Sequence, residues 1–158
     1  MRVTFEKMTV EIPDDVLQKL LKHEQNIGQP EAGGILLGKH ILEKQYYLIT
    51  DITVPSKYDC AGPISFLRSY RHSQIIIDKQ WEESQGTINY LGEWHTHPWE
   101  NPTLSSTDKM LLAKLIKEKS NVWGYLIMII VGRNNTLYLG ACDVEHCGEI
   151  TFEKILEV

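Results

Sequence analysis

Apolar and polar residues alternate across residues 3–10, from Val3 to Val10, and this predicts a first β-strand. Pro13, Asp14 and Asp15 then open a helix with a φ-restricted residue and two acids at its positive end. Val16, Leu17, Leu20 and Leu21 give that helix one apolar stripe. Residues 26–30 read as a loop, 33–41 and 45–54 as paired strands turning near Glu43 and Lys44, and 55–63 as a second loop. A helix is predicted over 73–84, ended by Gly86, although Ile75, Ile76 and Ile77 in a row suit a strand equally. Residues 88–95 predict a strand and 97–104 a loop with two prolines. The helix predicted over 105–119 carries Met110, Leu111, Leu112, Leu115 and Ile116 on or near one face. Residues 123–131 and 136–142 predict a hairpin about Arg133, Asn134 and Asn135, and 149–156 a last short strand. Helices interspersed with strands place the chain in the α/β class, with a mixed β-sheet flanked by helices.

Size and charge narrow the options. A chain of 158 residues, 42% apolar and 23% charged, has the length and composition of one domain whose core needs neither disulfide nor metal. Residues 1–158 are therefore read as a single domain. The 16 basic residues are outnumbered by 21 acidic ones and form no cluster, which argues against a nucleic-acid partner. The longest apolar run, Tyr125 to Val131, is far shorter than the roughly 18 residues of a membrane span, and MRVTFEKMTVEIP holds no apolar signal core. No membrane partner is expected, and the expected location is the cytoplasm. Three cysteines, an odd number, argue against a disulfide framework. Cys142 and Cys147 flank His146, but two cysteines and one histidine without a second pair make a poor structural zinc site. They read as small buried thiols or turn residues.

The informative segment is Glu93-Trp94-His95-Thr96-His97-Pro98, followed by Ser105-Ser106-Thr107-Asp108. His95 and His97 lie two apart at a predicted strand end, so their imidazoles point to the same side. Asp108 falls in the first turn of the next helix, after a loop long enough to fold back on them. Two histidine nitrogens and one carboxylate form a usual catalytic zinc set with the fourth position open. A lone His-x-His is common, and Ser105-x-x-Asp108 is also a helix capping box. The two readings of Asp108 are compatible. What favours chemistry is the conjunction His-x-His-Pro-x6-Ser-x-x-Asp.

That conjunction resembles the JAMM motif of the MPN-plus (JAB domain) metalloproteases. The resemblance implies that His95, His97 and Asp108 bind one catalytic Zn²⁺, with Ser105 as the motif serine. Pro30-Glu31-Ala32-Gly33-Gly34-Ile35-Leu36-Leu37-Gly38 looks like the family's upstream element and puts Glu31 in the catalytic position. It covers most of the chain and implies the family's αβα fold, related to the cytidine deaminase architecture. A narrower likeness runs through Phe66-x-Arg68, His72-Ser73-Gln74, Trp81-Glu82-Glu83-Ser84-x-Gly86 and Tyr90-Leu91-Gly92-Glu93. These segments look like the bacterial JAB proteins of CBASS antiphage operons, a group first assigned to integrative and conjugative elements. The likeness implies a cytoplasmic bacterial isopeptidase that frees the C-terminus of a cGAS-like nucleotidyltransferase from a conjugated partner. In the implied mechanism zinc acidifies a water, Glu31 carries its proton to the leaving amine, and Ser105 Oγ donates to the oxyanion.

Other readings stay open. A related JAB peptidase could process a ubiquitin-like or sulfur-carrier precursor. A non-catalytic MPN scaffold would lose zinc ligands, yet every motif position is kept. A zinc deaminase would want Pro-Cys-x-x-Cys and His-x-Glu, and the sequence has neither. Glu93 shares a strand side with His95 and reads as an acid orienting a histidine, a structural acid or a rival base, the first two favoured. Trp94 reads as core, whereas Trp99 is a candidate for lining a substrate groove. A protein tail would enter extended, by strand addition beside the site, with the 55–63 loop and Gly62 as part of the groove.

Overall fold

Val3 and Val10 face each other across a hairpin, which corrects the single strand expected over 3–10. Strands β1 (Arg2–Thr4) and β2 (Thr9–Glu11) pair antiparallel, and the Phe5 N–H bonds the Met8 carbonyl across the turn. The apolar positions change parity, from Val3 and Phe5 to Met8, Val10 and Ile12, so one strand could not bury both sets. This computed structural model describes residues 1–118, 124–145 and 150–158. The expected helix end at 119, the strand starts at 123 and 149, and His146 and Cys147 lie outside the described residues.

The remaining elements are α1 (Asp14–Leu21), β3 (Gly33–Ile41), β4 (Tyr46–Ile52), β5 (Cys60–Gly62), β6 (Ser65–Leu67), α2 (Tyr70–Glu83), β7 (Asn89–Thr96), α3 (Ser106–Glu118), β8 (Tyr125–Val131), β9 (Thr136–Asp143) and β10 (Ile150–Glu157). The 55–63 segment is not all loop, because its last three residues form β5 and pair with β6 in a separate small hairpin. Helix α2 begins earlier than expected. Ser69 caps it, its Oγ accepting from the His72 N–H at 3.3 Å. The isoleucine run is helical, with Ile77 buried and Ile75 exposed. On α3, Leu112, Leu115 and Ile116 are buried, but Met110 is exposed and does not belong to the apolar face.

Eight strands form one mixed sheet in the order β1-β2-β4-β3-β7-β8-β9-β10. The β2–β4 and β7–β8 pairs are parallel and the others antiparallel. The sheet curls enough for Phe5, beyond one edge strand, to stack on Phe152 of the other at 5.5 Å. Strand β8 is buried throughout, and its alternation divides the core. Ile127, Ile129 and Val131 join Val16, Leu17 and Leu20 of α1 on one face. Leu126, Met128 and Ile130 join Ile77 of α2 and Leu112 and Leu115 of α3 on the other. Each such side chain contributes about 1.5–3 kcal/mol on burial. Trp94 is core, as expected, with its indole N–H donating to the Thr53 carbonyl at 2.9 Å. No helix among the described residues is long and apolar enough to cross a membrane.

Candidate metal centre

Strand β7 is hydrogen-bonded on both sides, to β3 and β8, and this fixes the direction of its side chains. The His97 N–H extends the ladder to the Val131 carbonyl. His95 and His97 therefore emerge together, their Nε2 atoms 3.1 Å apart. The first turn of α3 brings Asp108 over them, with Oδ1 3.2 Å from His95 Nε2 and Oδ2 3.5 Å from His97 Nε2. The capping box forms as well. Asp108 N–H donates to Ser105 Oγ at 3.2 Å, and Ser105 N–H donates to Asp108 Oδ2 at 2.7 Å. One carboxylate thus locks the helix start and faces both imidazoles.

This set suits a metal ion by its spacing. Ligands at 2.0–2.1 Å around a tetrahedral ion lie about 3.3 Å from one another. The observed separations of 3.1, 3.2 and 3.5 Å bracket that value. Electrostatics agrees. Burial, and then the neighbouring His95 ring, lower His97 to about 4, so the imidazole is neutral near pH 7 and keeps a lone pair. Burial alone would raise the Asp108 carboxyl, but His95 and Ser105 outweigh it and hold it at about 2.

Glu31 lines the same cleft of about 370 Å³ as His95, His97, Ser105 and Asp108. It is 9% exposed, and burial raises its carboxyl above the ordinary range. Glu31 sits just before β3, where Gly33 pairs with His95. A Cβ on Gly33 would lie 2.5 Å from the Phe66 ring, so the glycine is needed for the β5–β6 hairpin to close over this strand. Trp99 also lines the cleft and is more than half exposed.

Glu93, favoured from sequence as an acid orienting a histidine or as a structural acid, lines the same cleft and is bonded to Arg68 and Tyr90. Its carboxylate accepts two bonds from Arg68 Nε, at 2.8 and 3.0 Å, and one from Arg68 Nη2 at 2.6 Å. Tyr90 Oη donates to it at 2.6 Å, and no bond joins it to either imidazole. Both its oxygens are engaged. Sequence reasoning assigned no role to Arg68 or Tyr90; the pairing joins positions 25 residues apart, and only the three-residue offset of Tyr90 from Glu93 was a local signal. Cys142 is buried on β9, where it pairs with Leu126 of β8.

The sequence model of prokaryotic homologs of the JAB domain matches residues 13–140. A CD-NTase/cGAS isopeptidase of Pseudomonas aeruginosa is 39% identical over 69% of this chain and 66% of its own length, just under two thirds. A CD-NTase/cGAS isopeptidase of Vibrio cholerae is 32% identical over 86% of this chain and 83% of its own. The solution structure of protein DSY2949 from Desulfitobacterium hafniense superposes with a TM-score of 0.58, covering 85% of this chain and 88% of that one; at 17% identity it speaks for the fold alone. The matched region holds the histidines, the aspartate and Glu31, and the chain belongs to the prokaryotic branch of the JAB domain family, the JAMM-type peptidases.

Proposed function

We propose that this protein is a zinc-dependent isopeptidase that hydrolyses the bond between a protein's C-terminus and its conjugated partner. The proposed substrate is a conjugate of a cGAS-like nucleotidyltransferase formed in bacterial antiphage defence. The observation that carries the reading is the convergence of His95, His97 and Asp108 in one cleft with Glu31, a carboxylate outside the ligand set. The names of the Pseudomonas and Vibrio relatives support the substrate class. The helix–sheet–helix layering supports kinship with the cytidine deaminase architecture.

His95, His97 and Asp108 would hold Zn²⁺, which when bound supplies an acidified water and a polarised carbonyl. Glu31 takes the proton of the attacking water and passes it to the leaving amine, and its raised carboxyl suits that exchange. Ser105 Oγ already accepts from the Asp108 N–H, so its own hydrogen is free to donate to the developing oxyanion. Strand β6, with Ser65, Phe66 and Leu67 along the cleft wall, offers an extended substrate tail an edge to pair with. Trp99 also lines the cleft and would contact the tail.

The test is a tail fusion: the nucleotidyltransferase carrying a folded protein on its C-terminus, incubated with purified protein and followed by gel. Cleavage at the junction is expected, and a zinc-loaded protein that leaves this tail intact would overturn the substrate assignment. Elemental analysis should find one zinc per chain in wild type and none after His95→Ala with His97→Ala. Full occupancy in that variant would remove these ligands from the proposal. Chelation should abolish cleavage and leave the far-UV spectrum unchanged, because both core layers form without the site. Unfolding on EDTA would mean that the metal is structural.

A further inference from the structure

We infer that Gln25 is a positioning residue for the Glu31 carboxylate, an inference that rests on Glu31 being the proton carrier of the proposed reaction. Gln25 lies outside the motif, in the loop after α1, yet it is 2% exposed. Its Nε2 donates to the Gln29 carbonyl at 2.7 Å and to the Pro63 carbonyl, at the tip of the β5–β6 hairpin, at 3.1 Å. Its Oε1 accepts from Thr96 Oγ1 at 3.1 Å. Two backbone carbonyls can only accept, so the amide orientation is set by chemistry.

These bonds close a ring around Glu31. Thr96 stands between the two histidines, and its hydroxyl also accepts from the Ala32 N–H at 3.0 Å. The Glu31 N–H bonds the Gly62 carbonyl at 2.8 Å, and Gly62 is joined covalently to Pro63. The circuit runs from Gln25 to Pro63 and Gly62, to Glu31 and Ala32, to Thr96, and back to Gln25. It fixes the backbone of the carboxylate to the strand that carries the imidazoles and to the hairpin that walls the cleft. Both ends of the amide are needed. The Thr96 hydroxyl accepts from Ala32 and donates to Gln25 Oε1, which can only accept, while Pro63 and Gln29 must be donated to. Proton transfer at a reacting water tolerates little displacement, and a shift of about 1 Å can cost 10²-fold in rate.

The test uses Gln25→Met, which matches glutamine in length but supplies neither donor nor carbonyl acceptor. Hydrogen exchange of the zinc-loaded protein is expected to speed at the Glu31 and Ala32 amides by about tenfold or more, with β8 amides unchanged. On the tail fusion, kcat should fall about 10- to 100-fold at unchanged zinc content. In a Glu31→Gln background the same change should cost no further rate, because its effect passes through that carboxylate. Gln25→Glu keeps the size and the Thr96 acceptor but loses both donors, and it should show the same pattern if Gln25→Met does not fold. Exchange that rises equally in β8, or a rate loss of equal size in both backgrounds, would make Gln25 a general stability residue and overturn the inference. A wild-type protein inactive on the fusion would overturn the proposed function instead, and the exchange arm would still decide whether Gln25 fixes Glu31.

Discussion

Glu31→Gln is expected to keep its zinc and its fold and to lower kcat by about 10²–10⁴, the usual cost of a lost acid–base group. Glutamine fills the same volume and holds the same backbone bond to Gly62, which does not involve the side chain. Glu31 is not among the three converging groups proposed to hold the metal, so metal content should not change. Substrate should still bind, and a stable complex should be recoverable from the variant. A second readout has a definite sign. Burial raises the folded-state carboxyl of Glu31, so its protonated form is the one favoured by folding. Its contribution is fully present below the unfolded-state pKa and is lost as pH rises through the folded-state value. In chelated protein, Glu31→Gln should therefore raise Tm at neutral pH, and the gain should vanish in acid. Loss of zinc in the variant would place Glu31 inside the ligand set. Activity within tenfold of wild type would mean that another group carries the proton.

How much of this was legible in the sequence depends on how far apart the cooperating residues lie. The convergence of His95, His97 and Asp108 was legible because strand alternation and a short loop fix them within 14 positions of each other. The capping box was legible for the same reason, and it forms beside the site. The role proposed for Glu31 rests on a family resemblance, since nothing local separates a catalytic acid from a solvated one after a loop proline. The β5–β6 hairpin was missed: its strands have three residues each, and Cys60, Ala61 and Gly62 carry no apolar alternation. Its place is set by Glu31, Phe66 against Gly33, and Gln25, all tertiary contacts. The split of the first strand was readable in principle, from the parity change across Glu6 and Lys7. Met110 was misplaced because the apolar residues of α3 form a run wider than the buried stripe, and only the sheet decides which edge is covered.

Glu93→Ala should be the largest stability defect among the site variants and should leave the metal in place. The Arg68 and Glu93 side chains are 12% and 7% exposed, so the charges are held by each other and by Tyr90 rather than by water. Glu93 raises the Arg68 pKa above its ordinary value even though burial pulls the other way. Removing the acid alone leaves a buried guanidinium without its counter-charge, which costs about 3–5 kcal/mol. In a chain of this size that corresponds to a Tm lower by about 6–20 °C. Replacing both partners, Glu93→Leu with Arg68→Met, should recover much of the loss, because two apolar side chains leave no unpaired charge. Arg68 also stacks over Tyr70 at 5.5 Å and joins β6 to α2, so the pair holds the base of the hairpin to β7. Since no bond links Glu93 to His95 or His97, zinc content should match wild type, and kcat measured well below Tm should stay within about tenfold. A Glu93→Ala protein as stable as wild type, zinc-loaded and inactive would reverse the two assignments. Glu93 would then be the proton carrier, and its bonds to Arg68 and Tyr90 would have to open on substrate binding to free an oxygen for the water.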